Sequence, residues 1–150
     1  PEIRLTLLES IGKKTAFLAS LVEQLGLEGV AIATIRAEAL ARDRDHREAY
    51  DVVVARALAR MVTVAELLLP FCRVGGRAIA MKKGEKMAAE MAEGESAVQQ
   101  MGGKYLAEIP VHLSLLEEGR IMVVMEKIAP TPQTFPRKPG MPTKRPLTTR

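Results

Sequence analysis

The sequence predicts an α/β fold in which a mostly parallel sheet closes with an antiparallel hairpin. Apolar residues alternate between short runs and helical spacing along the 150 residues, as in chains that alternate strands and helices. Two strand-like runs, at residues 105–113 and 120–128, have a connection too short for a crossover helix, so they should pair antiparallel. With 47% hydrophobic residues, the chain can bury one substantial core.

The first half of the chain is predicted to alternate strand and helix. The three strands lie at residues 3–8, 30–35 and 51–55. Ser10 is expected to cap a helix whose apolar repeat covers residues 17–25, and Gly26 ends that helix. The second strand leads into a helical turn over residues 37–42. The third strand is nearly all valine, which is typical of a strand covered on both faces, and a helix follows over residues 61–72.

The second half is predicted to add a strand and a helix before the hairpin. A turn at Gly75 and Gly76 precedes a strand at residues 77–81. A helix then covers residues 85–101, although Gly94 in its interior costs about 1 kcal/mol relative to alanine. Parallel βα units that end in an antiparallel hairpin favour the Rossmann-like sheet of methyltransferases over that of dehydrogenases, whose crossovers usually continue.

Residues 1–129 are expected to form only part of such a domain. In methyltransferase sheets the first strand is central and leads into the Gly-rich turn that cradles the ligand, whereas the strand at residues 3–8 matches the second strand of the sheet. Absence of the first, central strand should expose two unpaired strand edges. We therefore interpret the chain as the carboxyl-terminal portion of a cofactor-binding enzyme, with its first strand missing.

The net charge of +4 is concentrated in a basic, proline-rich tail, residues 130–150. The tail has no acidic residue and five basic ones, so the rest of the chain is slightly acidic; the five are Arg137, Lys138, Lys144, Arg145 and Arg150. Six of the nine prolines lie in the tail, and we expect it to run extended, without helix. Two interpretations stay open: a disordered segment, or an arm that lies along a polyanion and neutralises its phosphates.

Composition favours a cytoplasmic protein and argues against a membrane span or a metal site. The one cysteine, Cys72, excludes an internal disulfide and is expected to be buried and inert at the end of an apolar helix. No apolar run approaches the roughly 20 residues that cross a bilayer, and the amino terminus does not resemble a signal peptide. His46 and His112 are isolated and lack the spacing of metal ligands, which favours structural roles.

Candidate site residues directly follow the parallel strands, where the ligands of such sheets bind. They are Glu9 and Ser10, then Arg36, Ala37 and Glu38, then Arg56, then Lys82 and Lys83. Each has a simpler explanation: Glu9 as a charge at a helix N-terminus, Arg36 and Glu38 as a solvated pair, the lysines as a solvated strand exit. Arg56 is the strongest candidate for a ligand-binding residue, since a guanidinium after a buried strand requires an anionic partner or open water.

Five segments of the sequence together resemble one enzyme family. They are LLESIGKKTAFL, IRAEAL, YDVVVARALA, VGGRAIAMKKG and APTPQTFPRKPGMPTKRPL. These segments resemble the 16S rRNA guanine-N7 methyltransferases, the family first named glucose-inhibited division protein B. The resemblance covers nearly the whole chain and is most specific in the tail.

The resemblance implies an enzyme that transfers a methyl group from S-adenosylmethionine to N7 of a guanine in 16S ribosomal RNA, with that RNA or the small ribosomal subunit as its partner. By the family pattern, Ala37 and Glu38 match a pair that contacts the adenosyl group, and Arg56 matches a cofactor ligand. Glu9, with Ser10 beside it, holds the acidic position at the ribose. The expected RNA-binding residues are Lys82, Lys83, Arg137, Lys138, Lys144 and Arg145. Two family ligands in the Gly-rich loop have no counterpart.

We expect no catalytic acid or base, because guanine N7 already carries an in-plane lone pair and no proton. The sequence also lacks a cysteine nucleophile in a Pro-Cys context and the Asn/Asp-Pro-Pro-aromatic turn of amine methyltransferases. Two alternatives stay open. One is a non-catalytic RNA- or ribosome-associated module with a degenerate Rossmann core. The other, a fragment of a dinucleotide-dependent oxidoreductase, explains Glu9 but neither the tail nor the hairpin.

Overall fold

A computed structural model of the chain describes residues 3–56, 59–83, 87–112 and 119–147. Its strands are β1 (Leu5–Glu9), β2 (Val30–Thr34), β3 (Tyr50–Arg56), β4 (Cys72–Lys83), β5 (Gly103–Val111) and β6 (Arg120–Lys127). Its helices are α1 (Gly12–Gln24), α2 (Ala37–Leu40), α3 (Met61–Leu68), α4 (Met87–Gln100) and α5 (Met141–Lys144), with a 3-10 turn at Leu69–Phe71 after α3.

The strands form two sheets within the described residues. β3 and β4 are parallel, and β6 pairs antiparallel with both β4 and β5, which gives the order β3-β4-β6-β5. β1 and β2 pair in parallel as a separate two-stranded sheet. The predicted class, α/β with parallel strands and a closing antiparallel hairpin, is confirmed. Most of the short connection predicted between the two hairpin strands lies outside the described residues, which omit 113–118.

β1 and β3 line one cavity instead of pairing with each other. Tyr50 Oη, at the start of β3, donates a 3.1 Å hydrogen bond to Thr6 Oγ1 of β1, which bridges the two sheets. Val52 and Val54 of β3 are each 51% exposed, so the expectation that β3 is covered on both faces is wrong. Among the described residues, no strand lies between β1 and β3 in either sheet.

The main core lies where α3 and α4 pack against the four-stranded sheet. Its fully buried members include Met61, Leu69, Val98, Val123 and Met125. Gly94 of α4 is required here: a Cβ at this position would lie 2.6 Å from Tyr105 Oη and 2.9 Å from Met61 Cβ. Glycine destabilises a helix interior, but it is required at this position because the close approach of α3 and α4 leaves no room for a side chain.

The turn predicted at Gly75 and Gly76 is wrong, because both residues lie inside β4. Gly75 has a left-handed φ of 82°, and the pairing of β3 with β4 shifts its register here. A Cβ on Gly76 would lie 2.9 Å from the Asp51 carbonyl oxygen, so this glycine lets the two strands approach. The helix predicted over residues 61–72 also ends early, since Cys72 already begins β4.

One predicted end of α1 is wrong and the other is confirmed. Ile11, not Ser10, occupies the N-cap position, because the Glu9 carboxylate accepts hydrogen bonds from the backbone N–H groups of both residues. Gly26 ends the helix in the left-handed conformation, with φ of 59°. The apolar repeat of α1 exists but is not covered by the described residues: Phe17, for example, is 65% exposed.

The tail is folded onto the body, so the expectation of an extended segment without helix is wrong. α5 carries Pro142 in its first turn, where a helix tolerates proline because those backbone N–H groups have no intrahelical partner. The side chains of Pro136 and Pro142 are fully buried. The described part of the tail, residues 130–147, is therefore neither disordered nor a detached arm.

Candidate functional site

A cavity of about 740 Å³ lies at the carboxyl ends of β1, β2 and β3 and extends between β1 and β3. Its lining includes Glu9 and Ser10 after β1, Arg36, Ala37 and Glu38 after β2, and Arg56 at the end of β3. β1 and β2 are parallel and therefore end at the same edge of their sheet, and the end of β3 lies beside them at the cavity. All five residues predicted to bind a cofactor therefore line the same cavity.

Glu9 lies in the cavity wall just before α1, and its carboxylate accepts hydrogen bonds from the two backbone N–H groups that precede the helix. Its Oε1 accepts hydrogen bonds from the backbone N–H of Ser10 (2.7 Å) and of Ile11 (3.0 Å), and its Oε2 pairs with Lys14 Nζ at 3.1 Å. The Ile11 N–H above all, together with Lys14, lowers the pKa of Glu9, so the side chain is ionised at neutral pH. The helix-charge explanation and the ligand explanation are thus compatible.

Glu38 is buried in the wall of the cavity, with only 2% of the residue exposed. Its Oε1 accepts hydrogen bonds from the Gly140 backbone N–H (2.8 Å) and more weakly from Arg36 Nη2 (3.4 Å). Burial raises the pKa of Glu38, but the Gly140 N–H and the Arg36 charge outweigh it and leave the pKa below its usual value. Arg36 and Glu38 are therefore paired, but not as the solvated pair that the simpler explanation supposed.

Arg56 ends β3 at the cavity, and the residue is exposed. Within the described part of the chain, no carboxylate or carbonyl accepts a hydrogen bond from its guanidinium. The predicted need for an anionic partner or open water is thus met by the open cavity. Arg56 is a cation held by a strand end and available to an anionic group of a ligand.

Comparison with known proteins decides the family. A family model described as GidB, rRNA small subunit methyltransferase G, matches residues 1–114. The chain belongs to this family. The family resemblance noted in the sequence is thereby confirmed, and the match covers every strand and helix that forms the cavity except the tail.

Curated relatives of methyltransferase G match almost the whole chain. Ribosomal RNA small subunit methyltransferase G of Roseiflexus sp. (strain RS-1) is 46% identical over 147 residues, which are 98% of this chain and 62% of that protein. The protein of the same name from Dehalococcoides mccartyi (strain CBDB1) is 48% identical with the same coverage. The chain thus spans about three fifths of the length of these relatives.

A solved structure supports the methyltransferase fold. Aeropyrum pernix fibrillarin, whose structure holds natively bound S-adenosyl-L-methionine, matches with a TM-score of 0.60 at 16% identity. The match covers 83% of this chain and 56% of that chain. At this identity the likeness concerns the fold only, and it agrees with the Rossmann-like sheet that the sequence predicted.

Lys82 has a structural position in this methyltransferase G family member. Its ammonium donates to the Ala59 carbonyl (2.9 Å) and to the Glu90 carboxylate, and its side chain is 13% exposed. Glu90 in turn accepts a 2.8 Å hydrogen bond from the Met61 backbone N–H. This network ties the loop after β3 to α4, so the geometry does not favour the predicted contact of Lys82 with RNA. Lys83, the next residue, is exposed at the end of β4.

Arg137 also points into the fold. Its Nε and Nη2 donate to both carboxylate oxygens of Glu66, at 2.7 to 3.1 Å, and Glu66 is fully buried in α3. Its Nη1 donates to the Arg145 carbonyl at 2.7 Å. These contacts occupy the guanidinium, so the geometry does not favour the predicted contact of Arg137 with RNA phosphate. Lys138, Lys144 and Arg145 are exposed.

The residues that hold the tail were missed in the sequence. Arg42 donates to the Thr134 and Pro136 carbonyls, and Arg47 donates to the Thr131, Pro132 and Phe135 carbonyls. Glu48 Oε1 accepts a 2.6 Å hydrogen bond from the Thr131 N–H and pairs at 2.9 Å with Lys127, whose side chain is fully buried. Arg42, Arg47 and Glu48 each lie more than 80 positions before the tail residues that they hold. No local sequence pattern indicates such a long-range pairing.

The described residues hold neither a membrane-crossing helix nor a metal cluster. Among them, no helix combines the length and apolar character that a bilayer requires, and no group of three His, Cys, Asp or Glu side chains is arranged to hold a metal ion. His46 Nδ1 lies 2.5 Å from Tyr50 Oη, a structural contact. Cys72 is buried, and burial raises the pKa of its thiol to about 12, which agrees with the predicted inertness.

Proposed function

We propose that the chain is part of a methyltransferase that transfers a methyl group from S-adenosylmethionine to N7 of a guanine in 16S ribosomal RNA. One observation carries the proposal: Glu9, Glu38 and Arg56, which lie at or just after the ends of three strands, line one cavity in a member of the methyltransferase G family. The names of the relatives supply the substrate class, small-subunit ribosomal RNA. The N7 position follows from the family resemblance.

The cavity suits S-adenosylmethionine in size and in charge. A volume of about 740 Å³ is within the range of about 300 to 1,000 Å³ that small-molecule sites occupy. The ionised carboxylate of Glu9, beside Ser10, can accept hydrogen bonds from ribose hydroxyls, as acidic residues at strand ends do in such sheets. Ala37 adds little bulk next to the adenosyl position, and Arg56 provides a cation for the carboxylate of the methionine part.

The chemistry asks little of the side chains beyond positioning. Bound S-adenosylmethionine supplies a methyl group already activated by a sulfonium. Guanine N7 attacks with its in-plane lone pair and has no proton to lose, so the residues of the cavity must align the two partners and exclude water. We therefore assign no catalytic acid or base, and Glu9, Ser10, Ala37, Glu38 and Arg56 act as binding residues.

The RNA would be held by exposed cations near the cavity. Lys83 at the end of β4 and Lys138, Lys144 and Arg145 of the tail are exposed, and they neutralise phosphates. The segment that carries the three tail cations is fixed near the cavity by the hydrogen bond between Gly140 and Glu38. Lys82 and Arg137, which hold Glu90 and Glu66, position these segments rather than contact RNA.

One observation favours a second function, a non-catalytic module that binds ribosomal RNA. The cavity extends between the unpaired edges of β1 and β3, so its wall is open where the described residues provide no strand. A cavity with this opening excludes water poorly. Such a module would keep the basic tail and the RNA affinity but would not bind the cofactor.

Ligand titration separates these functions. Isothermal titration with S-adenosylmethionine and with NAD is performed on the chain and on a fusion that adds the part of the Roseiflexus relative that the chain does not cover. The methyltransferase proposal expects binding of S-adenosylmethionine alone, and incubation of the fusion with unmodified small ribosomal subunits should give N7-methylguanine in the 16S RNA. RNA binding without cofactor binding would establish the passive module, and binding of NAD would indicate an oxidoreductase.

A further inference from the structure

The tail provides part of the wall of the cavity. Thr143, in α5, lines the same cavity as Ala37, Glu38 and Arg56. The match to the family model ends at residue 114, before the tail begins. The tail was expected to be disordered or to lie along RNA, and neither expectation accounts for a tail residue at the ligand cavity.

Two hydrogen bonds and one buried side chain hold α5 in this place. Glu38, in the cavity wall, accepts the Gly140 N–H just before the helix. Thr63 Oγ1 donates a 3.1 Å hydrogen bond to the Pro142 carbonyl, and the Pro142 side chain is fully buried. The contacts come from α2 and α3, which are both fixed to the body, so the position of α5 is determined from two sides.

A further contact fixes the segment that leads into α5. The buried carboxylate of Glu66 binds both the backbone N–H of Arg137 (2.7 Å) and its guanidinium. If the segment moved away, the buried carboxylate of Glu66 would lose these partners and its charge would be uncompensated. The segment is therefore held strongly against α3. Residues 137–145 therefore form a fixed loop and not a segment that rests on the cavity by chance.

We infer that residues 137–145 form a wall of the nucleoside part of the cofactor cavity and that Thr143 contacts the bound nucleoside. The inference rests on the proposed function and goes beyond it, since it gives the tail a second role besides RNA contact. The cations Lys144 and Arg145, directly after Thr143, are exposed to solvent. The same short segment would then contact cofactor on its inner side and ribosomal RNA on its outer side.

Thiol protection tests this contact. The variant Thr143→Cys places a thiol at the cavity, and the control Thr134→Cys places one on an exposed part of the tail that does not line it. The buried Cys72 adds little background because its thiol stays protonated. The rate of modification by iodoacetamide is measured for both variants, as the chain and as the fusion, without ligand and with S-adenosylhomocysteine at about ten times the dissociation constant of each protein.

The expected result is that ligand slows modification of Thr143→Cys about tenfold, the reduction in free protein at that ligand concentration, and leaves Thr134→Cys unchanged. Titration of the unsubstituted protein with the same ligand is the reference. If that protein binds the ligand but both thiols react at unchanged rates, the inference is overturned while the proposed function stands. If it binds no S-adenosyl ligand at all, the proposed function fails and the inference fails with it.

Discussion

Glu66 of α3 and Arg137 of the tail form a bidentate ion pair although 71 positions separate them in the sequence. Glu66 is fully buried, so its carboxylate depends on this partner for compensation. Arg137→Ala should lower the free energy of unfolding by about 3 kcal/mol, since it leaves a buried charge unpaired. Urea denaturation measures the loss. Lys138→Ala, one position on and exposed, is the matched control and should change stability by less than about 0.5 kcal/mol. Equal midpoints for the two variants would show that the ion pair does not stabilise the fold.

The parts of the fold that local sequence determines were predicted well. The alternation of strands and helices, the left-handed Gly26 and the hairpin of β5 and β6 depend on neighbours in the sequence, and the structure contains them. The glycines at 75 and 76 were misplaced because a Gly-Gly pair favours a turn locally, whereas here the approach of β3 requires them inside a strand. Long-range packing, which no local pattern records, decided that case.

The same distinction applies to the candidate site. Glu9, Ala37, Glu38 and Arg56 were predictable because ligands bind at the ends of parallel strands, a rule that needs only the strand order. The docking of the tail was not predictable, because proline and basic residues favour an extended, solvated chain when their partners are unknown. Glu38 illustrates the difference between local and long-range information. Its place at the cavity was predicted, but its hydrogen bond to Gly140, 102 positions away, was not.

Acid should weaken the attachment of the tail. Glu38 and Glu48 each accept a backbone N–H of the tail, from Gly140 and Thr131, and the pKa of each is below the ordinary value of 4.5 although burial opposes the shift. A carboxyl with a lowered pKa in the folded state contributes stability that is present above its unfolded pKa and is lost as pH falls through the folded one. The free energy of unfolding should therefore fall below pH 4.5, as urea midpoints across pH would record.

A glutamine variant isolates this contribution. Glu38→Gln keeps an oxygen acceptor for the Gly140 N–H but has no proton to gain, so its stability should depend less on pH below 4.5 than that of the original chain. Glu23→Gln, on the exposed side of α1, is the control and should keep the original pH profile. Identical profiles for all three proteins would mean that other carboxyl groups cause the acid sensitivity.

β3 is an edge strand among the described residues, which should make the chain prone to self-association. An edge strand with exposed valines offers a pairing surface to another chain, and a charged residue on it blocks that pairing. We expect the chain alone to be marginally stable, aggregated or domain-swapped and to show little or no methyl transfer. Val54→Lys should reduce light scattering, whereas Val53→Lys, whose side chain packs against the core, should destabilise the fold. A monomer that melts cooperatively and methylates ribosomal RNA would contradict this prediction.

Arg56 should contribute to cofactor affinity. Its guanidinium lines the cavity and has no partner among the described residues, so a bound carboxylate would gain a charged hydrogen bond. Arg56→Ala should weaken the binding of S-adenosylmethionine by about 1 to 3 kcal/mol, measured by titration calorimetry of the fusion. Arg60→Ala is the control, because Arg60 pairs with Glu93 outside the cavity. An unchanged affinity for Arg56→Ala would assign this arginine to RNA binding or to structure.

The exposed cations of the tail should determine the salt dependence of RNA binding. Each phosphate contact releases counterions, so its loss lowers the slope of affinity against salt concentration by about 0.7 on single-stranded nucleic acid. The combined change of Lys138, Lys144 and Arg145 to glutamine should therefore reduce the slope by roughly 2 and leave cofactor affinity unchanged if the backbone of α5 keeps its place.

Lys104→Gln is the control, because Lys104 lies at the start of β5, at the edge of the sheet opposite the ends of β3 and β4. Arg137 is kept in all variants, since its loss would release Glu66 and unfold the segment under test. Filter binding of 16S RNA fragments across salt concentrations measures the slopes, and equal slopes for the triple variant and the original protein would place the RNA contact elsewhere.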